Sequence, residues 1–406
     1  MRLLAGALLA ASLAAVAIAQ QPTAPPPAAP PASPAGQMAA DPLNTDARYA
    51  FILDGDTGVP LYSKAGYEPM IPASMSKLML YYMVFERLKA KRLTMTDQFS
   101  VSEHAWRTGG AGTDGSTMFL PLNSKASVED LLRGAVIVSG NDACIVLAEG
   151  IWGSEEAFAR AATARAKELG LTASTFANAT GLDDPGHRMS AHDIAVIAYR
   201  LIKDFPEYYP MFSEPEFTFN KTRQYNRNPL LRELQGSDGV KTGHLGVSGY
   251  GLVGSAVRDG KRRIIVLNGL ASETARKTEA PRVMRSAFLD FETATLVKKG
   301  AQVAVADVWM GEEKTVGLLA TEDYVAGMHA DGVTGIRGTV VYKSPLMAPI
   351  KAGDIVGELV LSAPGVAEKR VPVAAAKAVG EVGFFGKAMM GLRGPEDEEE
   401  PTSEKD

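Results

Sequence analysis

The segment at residues 72–85 reads PASMSKLMLYYMVF. Every residue after Lys77 in this segment is apolar or aromatic, and such a run predicts a helix that is buried on most sides. A lysine ammonium is almost never fully buried without a partner. Either Lys77 extends past the helix surface to solvent, or the protein needs a cation at the start of this helix.

Ser74 and Lys77 form the pattern S-x-x-K, which has a chemical use. Positions three apart lie on one face of a helix, so Ser74 Oγ and Lys77 Nζ can share a hydrogen bond. A serine hydroxyl is a weak nucleophile until a base takes its proton, and burial lowers the pKa of a lysine towards that of a usable base. The pattern is short enough to occur by chance, so it needs support from elsewhere in the chain.

A second polar cluster interrupts an apolar helical pattern that runs from Val128 to Gly150. Ser139-Gly140-Asn141 lies at the break and predicts a turn between two helices. This turn would present a hydroxyl and an amide to whatever packs against it. The alternative is that Ser139 or Asn141 only caps the second helix.

A third cluster, Lys241-Thr242-Gly243, follows Asp238-Gly239-Val240. We expect it to open an exposed β-strand, where Gly243 lets another backbone approach closely. Lys241 and Thr242 would supply a cation and a hydroxyl for an anionic substrate. The alternative is a solvated lysine on an edge strand.

S-x-x-K, S-x-N and K-T-G in this order are typical of penicillin-binding proteins and β-lactamases, with Gly140 where the signature has Asp. The chain resembles the low-molecular-weight penicillin-binding proteins that are serine-type D-alanyl-D-alanine carboxypeptidases. The likeness covers residues 46–392. Family-like segments also occur in family order: FANATGLDDPGHRMSAHD (176–193), FTFNKTRQYNRNPLL (217–231), SDGVKTGHLGVSGYGLVGSA (237–256) and FFGK (384–387).

The resemblance implies the fold and the activity. The fold would be an α/β plus helical domain of the serine β-lactamase/DD-peptidase type, followed by a small all-β sandwich-like domain. The enzyme would remove the terminal D-alanine from peptidoglycan stem pentapeptides through an acyl-enzyme, in cell-wall biosynthesis and the control of cell shape. Penicillin would acylate the same serine. No metal or organic cofactor is implied.

The resemblance also assigns roles. Ser74 would be the nucleophile, Lys77 its base, and Ser139 a proton relay. The substrate-binding residues would be Asn141, Lys241, Thr242, His244 and Arg276, where His244 contributes its backbone N–H to the oxyanion hole and Arg276 is a second carboxylate ligand.

The N-terminus predicts export. Residues 1–19 have the form of a signal peptide: a positively charged start at Met1-Arg2, an apolar run, and small residues at Ala17-Ile18-Ala19. The alternative is an uncleaved membrane anchor. The run is short for a membrane span. We therefore expect a location in the bacterial periplasm. The formal net charge of -5 and the five scattered His residues give no reason to expect a nucleic-acid partner or a metal site.

Composition divides the rest of the chain. The composition of residues 20–42 predicts a Pro/Ala-rich tether. We expect the catalytic domain at residues 43–297 and an all-β domain of short strands at residues 298–382. We expect residues 280–296 to form the closing helix of the catalytic domain. Residues 383–406 contain a short amphipathic segment and an acidic tail. Peripheral contact of this segment with the outer face of the cytoplasmic membrane is one expectation. Retention through the N-terminal region and simple solubility are the alternatives.

Three other functions are compatible with the sequence. A D,D-endopeptidase would use the same residues on cross-linked peptides. A class A β-lactamase would need a glutamate for deacylation, and no convincing E-x-x-x-N occurs between Asn141 and Lys241. A non-catalytic wall-binding scaffold would not react with penicillin.

Overall fold

A computed structural model describes residues 41–329, 337–363 and 366–383. The predicted signal peptide, nearly all of the tether, and the FFGK and acidic segments lie outside these ranges. The helices are α1 Lys77–Lys89, α2 Glu103–Gly109, α3 Val128–Ile137, α4 Asn141–Trp152, α5 Glu155–Glu168, α6 Ala191–Asp204, α7 Leu230–Glu233 and α8 Glu273–Leu289. Short 3₁₀ turns cover Ala73–Ser76 and Tyr209–Ser213.

The strands are β1 Tyr49–Asp54, β2 Pro60–Lys64, β3 Gln98–Ser100, β4 Lys125–Ser127, β5 Glu216–Phe219, β6 Thr222–Tyr225, β7 Ser237–Leu245, β8 Gly249–Arg258, β9 Lys261–Leu270, β10 Phe291–Val297, β11 Gln302–Trp309, β12 Thr315–Ala320, β13 Tyr324–His329, β14 Arg337–Tyr342, β15 Leu346–Met347, β16 Ile355–Ala363 and β17 Val366–Ala375. The predicted fold class, an α/β plus helical domain followed by a β-rich domain, is confirmed.

A five-stranded antiparallel sheet, in the order β2-β1-β9-β8-β7, organises the first domain. Successive side chains of a strand point to opposite faces, and the sheet separates two apolar cores accordingly. Phe51 and Val266 face the helical side, together with α1, α4 and α6. Ile52 and Ile265 face the other side and pack with α8. Strand β7, which carries the Lys241 cluster, is left at the sheet edge.

Helix α1 runs through the larger core, as its composition predicts. Its residues from Lys77 to Phe85 are all buried. Ser127, Ser154 and Ser190 cap α3, α5 and α6, each by accepting a hydrogen bond from a backbone N–H three residues later. These side chains satisfy N–H groups that have no partner within the helix. The 3₁₀ turn at Ala73–Ser76, which leads into α1, packs against β7.

The β-rich part contains a six-stranded sheet in the order β14-β16-β17-β12-β11-β15 and a separate β10–β13 pair. Its own apolar core includes Val316, Leu318, Leu359, Val371 and Val373. The predicted division at residues 297/298 stays a prediction; β10, before it, pairs with β13, after it. Across the described residues, no helix is long and apolar enough to span a membrane.

The predicted closing helix at residues 280–296 is wrong at both ends. Helix α8 begins at Glu273, where Ser272 Oγ accepts from Ala275 N at 3.0 Å. Pro281 lies inside this helix rather than near its start. Residues 291–297 are strand β10 because they pair in antiparallel register with β13.

Candidate active site

Ser74 lies in the 3₁₀ turn that leads into α1. Ala73, before it, has φ +49°, in the left-handed region that a residue with a Cβ rarely adopts. This turn places Ser74 Oγ 2.8 Å from Lys77 Nζ, as the spacing of three residues predicts. Ser74 Oγ also donates to the carbonyl oxygen of Thr180 at 3.5 Å. The hydroxyl is thus held between a potential base and one wall of a cleft.

Lys77 is fully buried, so it does not extend to solvent. Besides Ser74, its Nζ contacts Asn141 Oδ1 at 2.7 Å and Ser139 Oγ at 3.4 Å. Burial lowers the pKa of Lys77 to about 8 because desolvation disfavours the charged form. A substantial fraction of this amine is therefore neutral near pH 8 and can accept the Ser74 proton.

The turn between α3 and α4 brings Ser139 and Asn141 to the same place. Ser139 has φ +63°, another left-handed residue beside the lysine, and such strain is often retained at functional sites. Gly140 occupies the N-cap position of α4 and makes no side-chain cap. Since Asn141 Oδ1 accepts from Lys77 instead, the alternative of a simple helix cap does not describe this turn.

Lys241 approaches Ser139 from strand β7. Its Nζ donates to Ser139 Oγ at 2.8 Å and to the carbonyl oxygen of Thr242 at 2.9 Å. Burial, and next the nearby charge of Lys77, lower the pKa of Lys241 well below its usual value. Ser139 is therefore hydrogen-bonded to both lysines.

Two expectations for Lys241-Thr242-Gly243 need correction. The cluster lies in the middle of β7 rather than at its start, and it is buried. The strand is at the sheet edge, but the turn that carries Ser74 covers it. A Cβ on Gly243 would lie 3.1 Å from the carbonyl oxygen of Pro72, so the close backbone approach is as expected.

An open cleft of about 910 Å³ lies in front of these groups. Residues with predicted roles that line it are Ser74, Ser139, Asn141, Thr242, His244 and Arg276. Arg276 Nη1 reaches the carbonyl oxygen of Gly243 at 3.4 Å and its guanidinium lies over the Tyr250 ring. The ring of His244 stacks on Tyr250 with centroids 3.9 Å apart. The two lysines lie behind the cleft wall.

Family models match both parts of the chain. The family model for D-alanyl-D-alanine carboxypeptidases of the peptidase S11 type matches residues 36–271, more than half of the chain. The chain belongs to the peptidase S11 family. The C-terminal domain model of penicillin-binding protein 5 matches residues 291–381, which hold the β-rich part.

Curated relatives, named as D-alanyl-D-alanine carboxypeptidases, align over most of the chain. The D-alanyl-D-alanine carboxypeptidase DacC of Escherichia coli K12 is 38% identical over 356 residues, which are 87% of this chain and 89% of that protein. DacF of Bacillus subtilis is 35% identical and covers 85% and 90% of the two chains.

Solved structures of proteins with similar sequences have a similar fold. DacD of Francisella tularensis has a TM-score of 0.68 at 28% identity and covers 83% of this chain and 94% of that one. Penicillin-binding protein 5 of Haemophilus influenzae has a TM-score of 0.63 at 34% identity, with coverage of 82% and 98%. Penicillin-binding protein D2 of Listeria monocytogenes, solved with ampicillin bound, has 0.52 at 28% identity and covers 60% and 98%.

The S11 site also contains residues that motif analysis did not single out. Arg227 lines the cleft and donates from Nη1 to Ser116 Oγ at 2.6 Å. It lies within the family-like segment 217–231, but its charge alone gives no sign that its side chain reaches the cleft. A Cβ on Gly181 would lie 2.1 Å from the carbonyl oxygen of Ala73, so segment 176–193 packs directly behind the Ser74 turn.

The arrangement of this S11 site suits acyl transfer. A hydroxyl contacts a buried amine, a second hydroxyl is bonded to two amines, and Arg227 and Arg276 give the cleft positive charge. Within the described ranges, no three His, Cys, Asp or Glu side chains cluster as a metal site would require.

Proposed function

We propose that this chain is a serine D-alanyl-D-alanine carboxypeptidase that removes the terminal D-alanine of peptidoglycan stem pentapeptides. The contact that carries the proposal is the 2.8 Å distance between Ser74 Oγ and the buried amine of Lys77. A neutral lysine at this distance can take the hydroxyl proton as Ser74 attacks the carbonyl carbon between the two D-alanines.

The tetrahedral intermediate then collapses to the acyl-enzyme. The backbone N–H groups of Ser74 and His244 would bind the oxyanion of the tetrahedral intermediate. One such donor contributes roughly 10²–10³ in rate. Ser139, hydrogen-bonded to both lysines, passes the proton taken by Lys77 to the leaving D-alanine nitrogen. The C–N bond breaks and free D-alanine leaves. In the second half of the reaction, water attacks the acyl carbon of the Ser74 ester. The hydroxyl of this water becomes part of the new C-terminal carboxyl group, the ester C–O bond breaks, and the other proton of the water passes to Ser74 Oγ.

The substrate carboxylate is bound on the β7 side of the cleft. Thr242 and Arg276 line that side, and Lys241 adds a cation behind it. Asn141, which accepts from Lys77, orients both the lysine and the substrate amide. β-Lactams would react in the same way, because their strained amide and carboxylate resemble the terminal dipeptide. The resulting ester would hydrolyse slowly.

The place of action follows from the substrate. We infer an exported protein of the bacterial periplasm, whose leader is residues 1–19. We also propose that residues 20–42 form a tether and that residues 383–406 contact the outer face of the cytoplasmic membrane.

The direct assay uses purified protein lacking residues 1–19 and a stem pentapeptide ending in D-Ala-D-Ala. Wild type should release one D-alanine per peptide, and Ser74→Ala should release none. A cross-linked peptide dimer tested in parallel measures endopeptidase activity, and benzylpenicillin measures β-lactamase turnover. If neither protein releases D-alanine and wild type rapidly hydrolyses penicillin, the carboxypeptidase proposal is wrong and the protein is a β-lactamase.

A further inference from the structure

Asp142 is a buried carboxylate directly behind the Ser139–Asn141 turn, and the reaction steps above do not use it. It is the second residue of α4 and is fully buried. All four of its hydrogen-bond donors are neutral: Thr117 Oγ1 at 2.7 Å, Ala143 N at 2.9 Å, Met118 N at 3.0 Å and Leu120 N at 3.1 Å. Burying an ionised carboxylate is costly unless hydrogen bonds satisfy it.

Three of these donors belong to residues 117–120, which continue one wall of the cleft. The adjacent Ser116 lines the cleft, and its carbonyl oxygen accepts from Asn141 N at 2.7 Å. Gln224 Nε2 also donates to the carbonyl oxygen of Thr117 at 3.0 Å. Asp142 and its neighbour Asn141 therefore join the catalytic turn to the wall segment.

The glycine of the turn gives an independent indication. Gly140 has φ −54°, a conformation open to any residue. Yet a Cβ added there would lie 2.9 Å from Asp142 Oδ1 and 3.1 Å from Met118 N. The space for a side chain at position 140 is therefore taken by the Asp142 carboxylate and by the segment of the cleft wall to which it is hydrogen-bonded.

We propose that Asp142 is a positioning residue for acyl transfer, which fixes Ser139 and Asn141 against the cleft wall at residues 116–120. The inference rests on the proposed acyl-transfer function. Asp142 touches neither the substrate nor the reacting atoms. Its effect passes through Asn141, which holds Lys77, and through Ser139, which contacts both lysines.

The carboxylate also acts on Lys77 through its charge. Its negative charge raises the pKa of Lys77 against the lowering by burial. Other titratable groups that face Lys77 are His187, Cys144, Glu155, Arg227 and Lys241. Removing the charge of Asp142 alone should lower the pKa of Lys77 further, so the acid limb of the acylation profile should move to lower pH.

The test measures the second-order rate of acylation by benzylpenicillin from pH 6 to 10 for wild type and Asp142→Asn. An asparagine cannot accept all four hydrogen bonds, so the turn and the wall should shift. We expect a loss on the order of 10²-fold, typical of a displacement of about 1 Å near reacting groups, together with an acid limb at lower pH.

Asp193→Asn is the matched control. Asp193, in the first turn of α6, is also buried; it accepts from Ala173 N at 3.0 Å and Ser174 Oγ at 2.7 Å and contacts His192 Nδ1 at 2.9 Å. None of these residues lines the cleft. Asp193→Asn should lower the melting temperature but leave the acylation rate of the folded protein and the pH profile of that rate unchanged. Gly140→Ala, which crowds Asp142 without removing its charge, should slow acylation without moving the acid limb.

The outcomes separate the two proposals. If wild type is not acylated, the proposed function fails. If wild type is acylated and Asp142→Asn reacts at the same rate with the same profile, the positioning role is wrong. If Asp142→Asn does not fold, Gly140→Ala decides: wild-type acylation by a folded Gly140→Ala protein would overturn the inference.

Discussion

Nζ of Lys77 lies 2.8 Å from Oγ of Ser74, inside a core that excludes solvent from the amine. The helix start fixes the spacing, and the apolar turns after Lys77 supply the burial. Burial in turn lowers the pKa of the amine to about 8. A single segment of sequence thus provides both a nucleophile and its base.

The rate of acylation should rise with pH through about 8. The base must be neutral, and the neutral fraction of Lys77 increases as the pH passes its lowered pKa. Lys77→Arg should abolish acylation at every pH, because a guanidinium stays protonated. The measurement is the second-order acylation rate from pH 6 to 10. A rate that is constant between pH 6 and 9 would contradict the role of Lys77.

Arg276→Ala should weaken recognition of the substrate carboxylate. Hydrogen bonds to charged groups contribute about 1.5–3 kcal/mol, so KM should rise roughly tenfold or more. The control is a peptide with a C-terminal D-alanine amide, whose turnover should be the same in wild type and variant. An equal loss on both peptides would mean that Arg276 supports the fold of the cleft, through its contact with Gly243, and does not bind the carboxylate.

Gly181→Ala should destabilise the protein and slow acylation. Gly181 has φ +79°, and a Cβ there would lie 2.1 Å from the carbonyl oxygen of Ala73, beside Ser74. Gly170→Ala is the control, since Gly170 has φ +78° but no atom within 4 Å of the added Cβ. It should cost only the left-handed strain of about 1–2 kcal/mol. Urea unfolding and acylation rates are measured for both variants. Equal losses of stability and of acylation rate in the two variants would contradict the close approach of Gly181 to the Ser74 turn.

Asp54→Ala should cost about 3–5 kcal/mol of unfolding free energy, because it leaves a buried cation unpaired. Arg263 Nη1 and Asp54 Oδ2 are 2.5 Å apart, with side chains 3% and 7% exposed. Glu103→Ala breaks a pair with Arg107 at a similar distance, 2.6 Å, in which both side chains are 66% exposed. That control should cost about 1 kcal/mol or less. Chemical denaturation measures both, and similar losses would contradict the effect of burial.

Local sequence was enough to predict the central part of the site. Ser74 and Lys77 are three residues apart on one helix start, so their contact follows from helix geometry. The break at Ser139–Asn141 is also local, since it interrupts an apolar pattern. That Lys241 belongs to the same site as Ser139, however, was implied only by the family resemblance, because nothing local says which turn an edge strand will pack against. Their direct hydrogen bond is a finding of the structure.

The missed features depend on tertiary packing. Lys241 was expected on an exposed strand, yet the Ser74 turn covers it. Arg227 and Asp142 lie outside the three motifs, and their functional context exists only once residues 116–120 fold across the cleft. The sequence predicted helix through residue 296, whereas residues 291–297 form a strand whose partner, β13, lies some thirty residues later.

The most direct test of the account is the intact mass of the protein after incubation with benzylpenicillin, followed over time. Wild type should gain one lasting penicilloyl adduct, mapped by peptide analysis to Ser74, and Ser74→Ala should gain none. An adduct on Ser74→Ala, or no adduct and no penicillin turnover by wild type, would contradict acyl transfer at Ser74.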